Sequence, residues 1–481
     1  MIKITSGVMA LSAISFFIWG VARGASDEIH LDSARVLESA EESYESIALE
    51  IYRLAELGYL EFESSRLLQE TLSLEGFDIE TGVAGIPTAF VASYGSGSPV
   101  VALLGEFDAL PGISQAVSPL RDPLAEQAAG HACGHHLFGV GSAAAAIAAK
   151  EWLSSTATPG TIRYYGTPAE EGGSGKVYMV REGLFNDVDV VLHWHPSDEN
   201  DASPQTSLAN RSAKFRFYGL SSHASSAPQV GRSALDGVEA MNYMVNLMRE
   251  HIPSTARIHY VITAGGNAPN VVPDYAEVFY YVRGSNAAQV ESLWIRVLAA
   301  AQGAAEGTET RLDYEIIHGN HSVLPNAALS RVMDNNLRKV GGITYNPAEQ
   351  RFAEQLYLSF VEPDAMVGEQ NRVQDFELQH GLGSTDVGDI SWVVPTVGLR
   401  VATWVPGTVG HSWQAIAAGG TSIGTKGMMV AARTLATTAI DLLSNSALIE
   451  DAREELIQRR GVDFQYRSLL GDRLPPLDFR L

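Results

Sequence analysis

The chain has a single cysteine, Cys133, in 481 residues. No intrachain disulfide can form, so the fold must rest on its packed interior. Positive charge is also scarce: 33 Lys and Arg stand against 56 Asp and Glu, a formal net charge of -23. A chain this acidic repels phosphate backbones, which argues against nucleic acid as a partner, although a few local basic groups can still bind a carboxylate. After the first two dozen residues no apolar run reaches the length of a membrane span, so no stable membrane insertion is expected. Internal repeats and low-complexity tracts are absent as well.

What is present begins with an address. Lys3 precedes a mostly apolar stretch over 4–22, Ala22-Arg23-Gly24 fits a small-x-small cleavage site, and Asp27-Glu28 opens polar sequence. This pattern predicts a signal peptide over 1–24 and a periplasmic or secreted protein, with a retained anchor as the competing reading. A lone reduced thiol in an oxidising compartment makes sense when a metal holds it. The length exceeds one ordinary hydrophobic core, which predicts more than one domain.

Helical spacing of Ile47, Ile51, Leu54 and Leu57 predicts a helix from 29 to about 74. Alternation over 77–94, punctuated by Gly82, Gly85 and Pro87, predicts a hairpin. The continuous apolar run at 100–104 reads as a strand buried on both faces, 161–165 and 188–192 read as further strands, and an Ala-rich helix is expected over 139–153 between the first two. Past 207 the pattern changes to strand, helix, two strands, helix and strand through 317, which suggests a ferredoxin-like unit. A final long helix is expected over 425–443. The fold class is therefore α/β: a catalytic domain with a mixed sheet flanked by helices, in two parts (25–206 and 323–481), interrupted by an inserted α+β lid and dimerisation domain (207–322).

The strand ends carry the chemistry. After the first comes Gly105-Glu106-Phe107-Asp108, after the second Glu170-Glu171, and after the third His193-Trp194-His195. Ligands of open α/β sheets sit at such ends. The loop Gly130-His131-Ala132-Cys133-Gly134-His135-His136 adds a thiol and three imidazoles, good donors for zinc and related ions. Adjacent carboxylates are usually a solvated loop. Beside a metal they divide labour, one as ligand and one as free base. A late Gly410-His411-Ser412 would mean little by itself.

As an ordered set, the segments 130–136, 167–173, 190–196 and 406–413 resemble the dinuclear metallopeptidase family of aminoacylases, glutamate carboxypeptidases and auxin-conjugate hydrolases. The stretches 403–408 and 424–428 are similar to its aminobenzoyl-glutamate hydrolase branch. The resemblance covers nearly the whole chain after the export segment. It implies two divalent ions, zinc or manganese, with Cys133 as the shared ligand and His135, Glu171, His195 and His411 completing the two shells. Glu170 would be the general base without a direct bond to metal. His195 is preferred over His193 because the family's ligand lies six residues after an Asp, here Asp189. His223 would reach the partner subunit's site in a homodimer, and Asn270 and Arg283 would grip the substrate carboxylate. Glu106 and Asp108 would stand behind the ligands. One departure is His136, where many members have Asp, so that position could support the site or bind metal itself.

The implied reaction is hydrolysis of the amide bond of a small N-acyl amino acid, such as an aminobenzoyl-glutamate-like conjugate. A carboxypeptidase or dipeptidase of the same chemistry is a close alternative, since only the pocket separates them. A non-catalytic exported solute-binding protein is a distant one, because a mere binder needs no free base beside a metal.

Overall fold

The computed structural model describes residues 34–480. The export signal expected over 1–24 lies outside the described residues. Where the spacing predicts one continuous helix, the chain breaks between α1 (Glu41–Leu54) and α2 (Phe62–Leu74). The break has a tertiary cause: Ala55 and Tyr59 turn left-handed (φ 43 and 67), and Leu57 pairs with Ala109 in the loop after a core strand. Gly58 makes this possible, since a Cβ there would come within 2.9 Å of Ala169.

The chain then forms β1 (Asp78–Thr81), β2 (Phe90–Ser96), β3 (Val100–Gly105), α3 (His135–Thr156), β4 (Gly160–Gly166), α4 (Gly175–Arg181) and β5 (Val190–Leu192). The inserted region holds β6 (Ala209–Tyr218), α5 (Ala234–Met248), β7 (Arg257–Ala264), β8 (Tyr275–Gly284), α6 (Ala287–Gly307) and β9 (Arg311–Asn320). After it come the short β10 (Thr396–Val397) and the helices α7 (Ser422–Ser444) and α8 (Ser446–Arg460). The helix expected over 425–443 is α7, but it is not the last. Asn445 leaves helical geometry (φ -141) and caps α8 by accepting from the Ala447 N–H.

Six strands form the main sheet in the order β1-β2-β4-β3-β5-β10. The hairpin β1–β2 joins antiparallel at one edge, while β4, β3, β5 and β10 run parallel. Every residue of β3 is buried, as a Val/Leu run covered on both faces requires. The Ala-rich α3 packs against β3 and α7 within the main core. Parallel strands send their C-terminal ends to one edge, so Glu106, the Glu170 loop, His193 and Gly398 meet there.

The inserted region has its own sheet, in the order β7-β8-β6-β9, antiparallel throughout. Its core is separate, built around Phe215, Tyr280 and Trp294. This is the β-α-β-β-α-β arrangement expected of a ferredoxin-like lid. Among the described residues, no helix is long and apolar enough to cross a membrane.

Candidate metal centre

Three loops from three strand ends, with the loop before α3 and one from the last third of the chain, bring their donors together. The inner group is Cys133, His135 and His195, and the outer group is Cys133, Glu171 and His411; within each, one donor atom per residue lies within 4.8 Å of the others. Cys133 belongs to both. Its Sγ is 3.4 Å from His195 Nε2. Gly134 turns the chain left-handed (φ 76) between Cys133 and the first residue of α3, which allows thiol and imidazole to face one side.

Asp108 holds the two groups in register. One carboxylate oxygen lies 2.9 Å from His135 Nδ1, and the other accepts from the Glu171 N–H at 2.9 Å. That leaves His135 Nε2 pointing into the site. Burial would raise the Asp108 carboxyl, but His135, the Glu171 N–H and Lys176 outweigh it and hold the group below the usual carboxylate range.

The site's charges call for a cation. Burial would raise the Cys133 thiol, yet His135 and His195 pull it well below its ordinary value. His411 is pushed up to about 11 by its contacts with Cys133 and Glu171. His135 Nε2 faces Glu106 Oε2 at 3.0 Å and His411 Nε2 faces Glu171 Oε1 at 3.1 Å, yet Glu106 Oε2, His135 Nε2 and Glu171 Oε1 have no hydrogen bond of good geometry. Orphaned buried donors of this chemistry, around a shared thiolate, fit divalent metal ions.

Glu170 belongs to neither group. With Glu106 and His135 it forms a third cluster, and it lines the adjoining pocket. Enclosure raises its carboxyl well above the usual range, and the negative charges of Glu106, Glu171 and Asp386 raise it further. A carboxyl tuned upward beside a metal site suits proton transfer. Three non-glycine residues around it have positive φ: Ala169 (56), Ser174 (63) and His411 (60). Such backbone strain persists only where the surroundings enforce it.

The other candidates divide. His193 lines the pocket but joins no donor group, and burial pushes its imidazole down to about 3. His136 turns away, its Nε2 lying 3.0 Å from the Gly419 carbonyl oxygen, and it too joins no donor group. Arg283 reaches the rim of the pocket, where it donates to Ser384 Oγ at 2.9 Å. His223 and Asn270 are exposed neighbours on the lid, joined by the Ala224 N–H to Asn270 carbonyl bond, and neither lines the pocket of its own chain.

Sequence reasoning missed Lys176. It is fully buried, with Nζ 2.7 Å from Glu106 and 2.8 Å from Asp386, and its own N–H donates to Asp386 at 2.9 Å. The available signal was a lysine in the otherwise apolar start of α4, directly after the Glu170-Glu171-Gly172-Gly173 loop. The pocket that the metal-competent groups line has a volume of about 350 Å³ and extends past Phe138, Pro204, Leu382 and Leu399 to Arg400 and Asp201.

The family model described as peptidase family M20/M25/M40 matches residues 102–359. The chain is 40% identical to one of the subunits of the p-aminobenzoyl-glutamate hydrolase of Escherichia coli, over 87% of this chain and 93% of that protein. It is 30% identical to the Xaa-Arg dipeptidase of Mus musculus, over 89% of this chain and 93% of that one. A crystal structure from Bacillus subtilis, described as a dinuclear metal-binding peptidase of the M20 family, shares the fold with a TM-score of 0.55 at 16% identity, over 85% of this chain and 99% of that one. The matched segment runs from the middle of β3 through the thiol loop, both glutamates, His195 and the whole lid, so likeness and geometry coincide: the chain belongs to peptidase family M20/M25/M40, a family of metal-dependent hydrolases.

Proposed function

We propose that this chain hydrolyses the amide bond of N-acyl amino acids of the p-aminobenzoyl-glutamate type. The observation that carries the reading is a pair of donor groups sharing Cys133, with a free, upward-tuned carboxyl beside them. In this reading Cys133, His135 and His195 hold one divalent ion, and Cys133, Glu171 and His411 hold the other, with zinc or manganese as the candidates. Bound ions supply Lewis acidity, polarising the scissile carbonyl and easing loss of a proton from water near neutral pH.

The chain's own residues do the rest. Glu170 takes a proton from the attacking water on a carboxylate oxygen. It gives that proton to the amine nitrogen as the C–N bond breaks, releasing a carboxylic acid and an amino acid. Arg283, at the pocket rim, offers a planar fork for the substrate carboxylate, with Asn270 beside it when the lid is completed by a second copy. His223 of that second copy stabilises the oxyanion.

A homodimer through the lid is supported by exposed apolar residues on the edge strand β7 (Val261, Ile262) and on α5 (Tyr243, Leu247). A relative named as a subunit leaves an unlike partner as the other outcome. Export through the segment over 1–24, and the lid boundaries at 207 and 322, belong to the same reading.

The test pairs metal content with turnover in the chain and its Glu170→Ala variant. Two ions per chain in both are expected, with glutamate release from p-aminobenzoyl-glutamate falling by about 10²–10⁴ in the variant, the usual contribution of a general base. Metal-free protein, or unchanged hydrolysis in the variant, overturns the mechanism. Faster turnover of a dipeptide ending in arginine than of p-aminobenzoyl-glutamate overturns the substrate class while leaving the mechanism standing.

A further inference from the structure

The segment after α8, residues 461–480, crosses both halves of the molecule and reaches the acidic loop. Leu470 joins the main core, while Leu469 packs on the lid with Ala209 and Val290. Arg211 of β6 donates to the Leu469 carbonyl at 2.9 Å, and Arg473 to the Ile317 carbonyl of β9 at 3.1 Å. Phe479 then packs edge-on against Tyr59, with ring centroids 5.6 Å apart, and the Arg480 guanidinium lies 4.5 Å from the Phe479 ring centroid.

These last two contacts fall on one peptide stretch. Tyr59 donates its hydroxyl to the Gly173 carbonyl at 2.6 Å, and Arg480 donates Nη2 to the Glu171 carbonyl. Between them Gly172 is left-handed (φ 89), and a Cβ there would stand 3.7 Å from Arg480 and 3.9 Å from Phe479. The Glu171 N–H is already tied to Asp108. Glu171 is thus clamped at both of its peptide groups, from inside by a core carboxylate and from outside by an arginine that sequence places 309 positions away.

We propose that Arg480 is a positioning residue for the Glu171 carboxylate, and that the strap over 461–480 makes the outer donor group depend on the contact between lid and catalytic sheet. The inference rests on Glu171 as a metal ligand. Removing Arg480 leaves the loop around the left-handed Gly172 held from one side only, so Glu171 swings while Cys133, His135 and His195 stay where core elements put them. Residues standing one step behind metal ligands characteristically change affinity or activity without changing the fold.

The test uses the full chain with Arg480→Ala, Arg480→Lys and Glu171→Ala, each stripped of metal and titrated with Co²⁺. The readouts are the Cys133 thiolate-to-cobalt absorption, kcat and KM for p-aminobenzoyl-glutamate, and the unfolding midpoint of the metal-free protein. We expect Arg480→Ala to weaken the second Co²⁺ step and lower kcat by about ten- to a hundredfold, with KM nearly unchanged, the midpoint unmoved and Arg480→Lys recovering most of both losses. Wild-type titration and turnover in Arg480→Ala, with Glu171→Ala losing the second step, sinks the strap alone. A wild-type titration in Glu171→Ala sinks the ligand reading and the strap with it. A lowered midpoint with equal losses in Arg480→Ala and Arg480→Lys reduces Arg480 to a fold contact and overturns the proposal.

Discussion

The two donor groups share a thiol and differ in almost everything else. His135 has no exposed surface, opens a 22-residue helix and is backed by Asp108, whereas the His411 side chain is 56% exposed and sits on a left-handed residue in a loop. Glu171 likewise lies in a loop between the left-handed Ala169, Gly172 and Ser174. The inner group is therefore fixed by elements of the core, whereas Glu171 and His411 of the outer one sit on loops held through hydrogen bonds to their backbone. Rigidity falls across a few ångströms, from the side that must hold its geometry to the side where lid, strap and substrate meet.

The largest effect comes from removing what the two groups have in common. Cys133→Ser should cost more than about a hundredfold in activity, since even residues behind the ligands cost 10–100-fold. Metal per chain should fall at both sites, whereas His411→Ala should empty only one. Loss of a single ion in Cys133→Ser would show that the groups do not share the thiol and would dissolve the comparison.

How much of this was legible in the sequence follows the same divide. Polar groups that come soon after a strand, such as Glu106 and the Glu170-Glu171 pair, announce themselves, because a strand end fixes where the next residues go. The resemblance chose His135 as a ligand but left open whether His136 supports the site or binds metal itself. Successive helix residues point about 100° apart, so only one of them can face the site, and the structure turns His136 to Gly419. Lys176 and Asp386 were invisible as a pair because 210 positions separate them. The break between α1 and α2 was carried by Gly58, whose close approach to Ala169 no local pattern expresses. His223 and Asn270 do not line the pocket of their own chain, so the role proposed for them calls for a second copy, which no periodicity encodes.

Behind the inner group lies a buried ionic trio with no counterpart at the outer one. Lys176→Met would leave Glu106 and Asp386 facing each other without a cation. Breaking a buried pair this way typically costs about 3–5 kcal/mol, far more than a surface change. His411→Ala removes a half-exposed partner of Glu171 rather than a fully buried cation, and should shift the unfolding free energy of the metal-free protein by only about 1 kcal/mol. Guanidinium unfolding of the two variants side by side checks the contrast. Equal shifts would mean that the inner half is no more firmly built than the outer.

The effect that is smallest at any single step, because it is spread over pH, probes the loop under the outer group through Glu61. This carboxyl is fully buried, accepts from the Ala169 N–H at 2.8 Å and from the Thr88 hydroxyl at 3.0 Å, and so steadies the left-handed residue before Glu170. Burial, helped by the nearby Asp108 charge, pushes it up to about 8. An unfolded glutamate ionises near about 4.3, so above that value the unfolded chain has lost a proton that the folded chain keeps. Folded protein then binds more protons than unfolded, and stability falls as pH rises until the folded group also ionises, near 8. Glu61→Gln keeps an acceptor for Ala169 and carries no charge, so it should remove that slope. The gap between variant and wild type should grow in favour of the variant by at most about 1.4 kcal/mol per pH unit through this window. Unfolding free energies of the metal-free proteins between about pH 5 and 8 measure it. Parallel curves would mean that Glu61 is already ionised in the folded chain, and that the outer loop rests on a charge rather than on a shared proton.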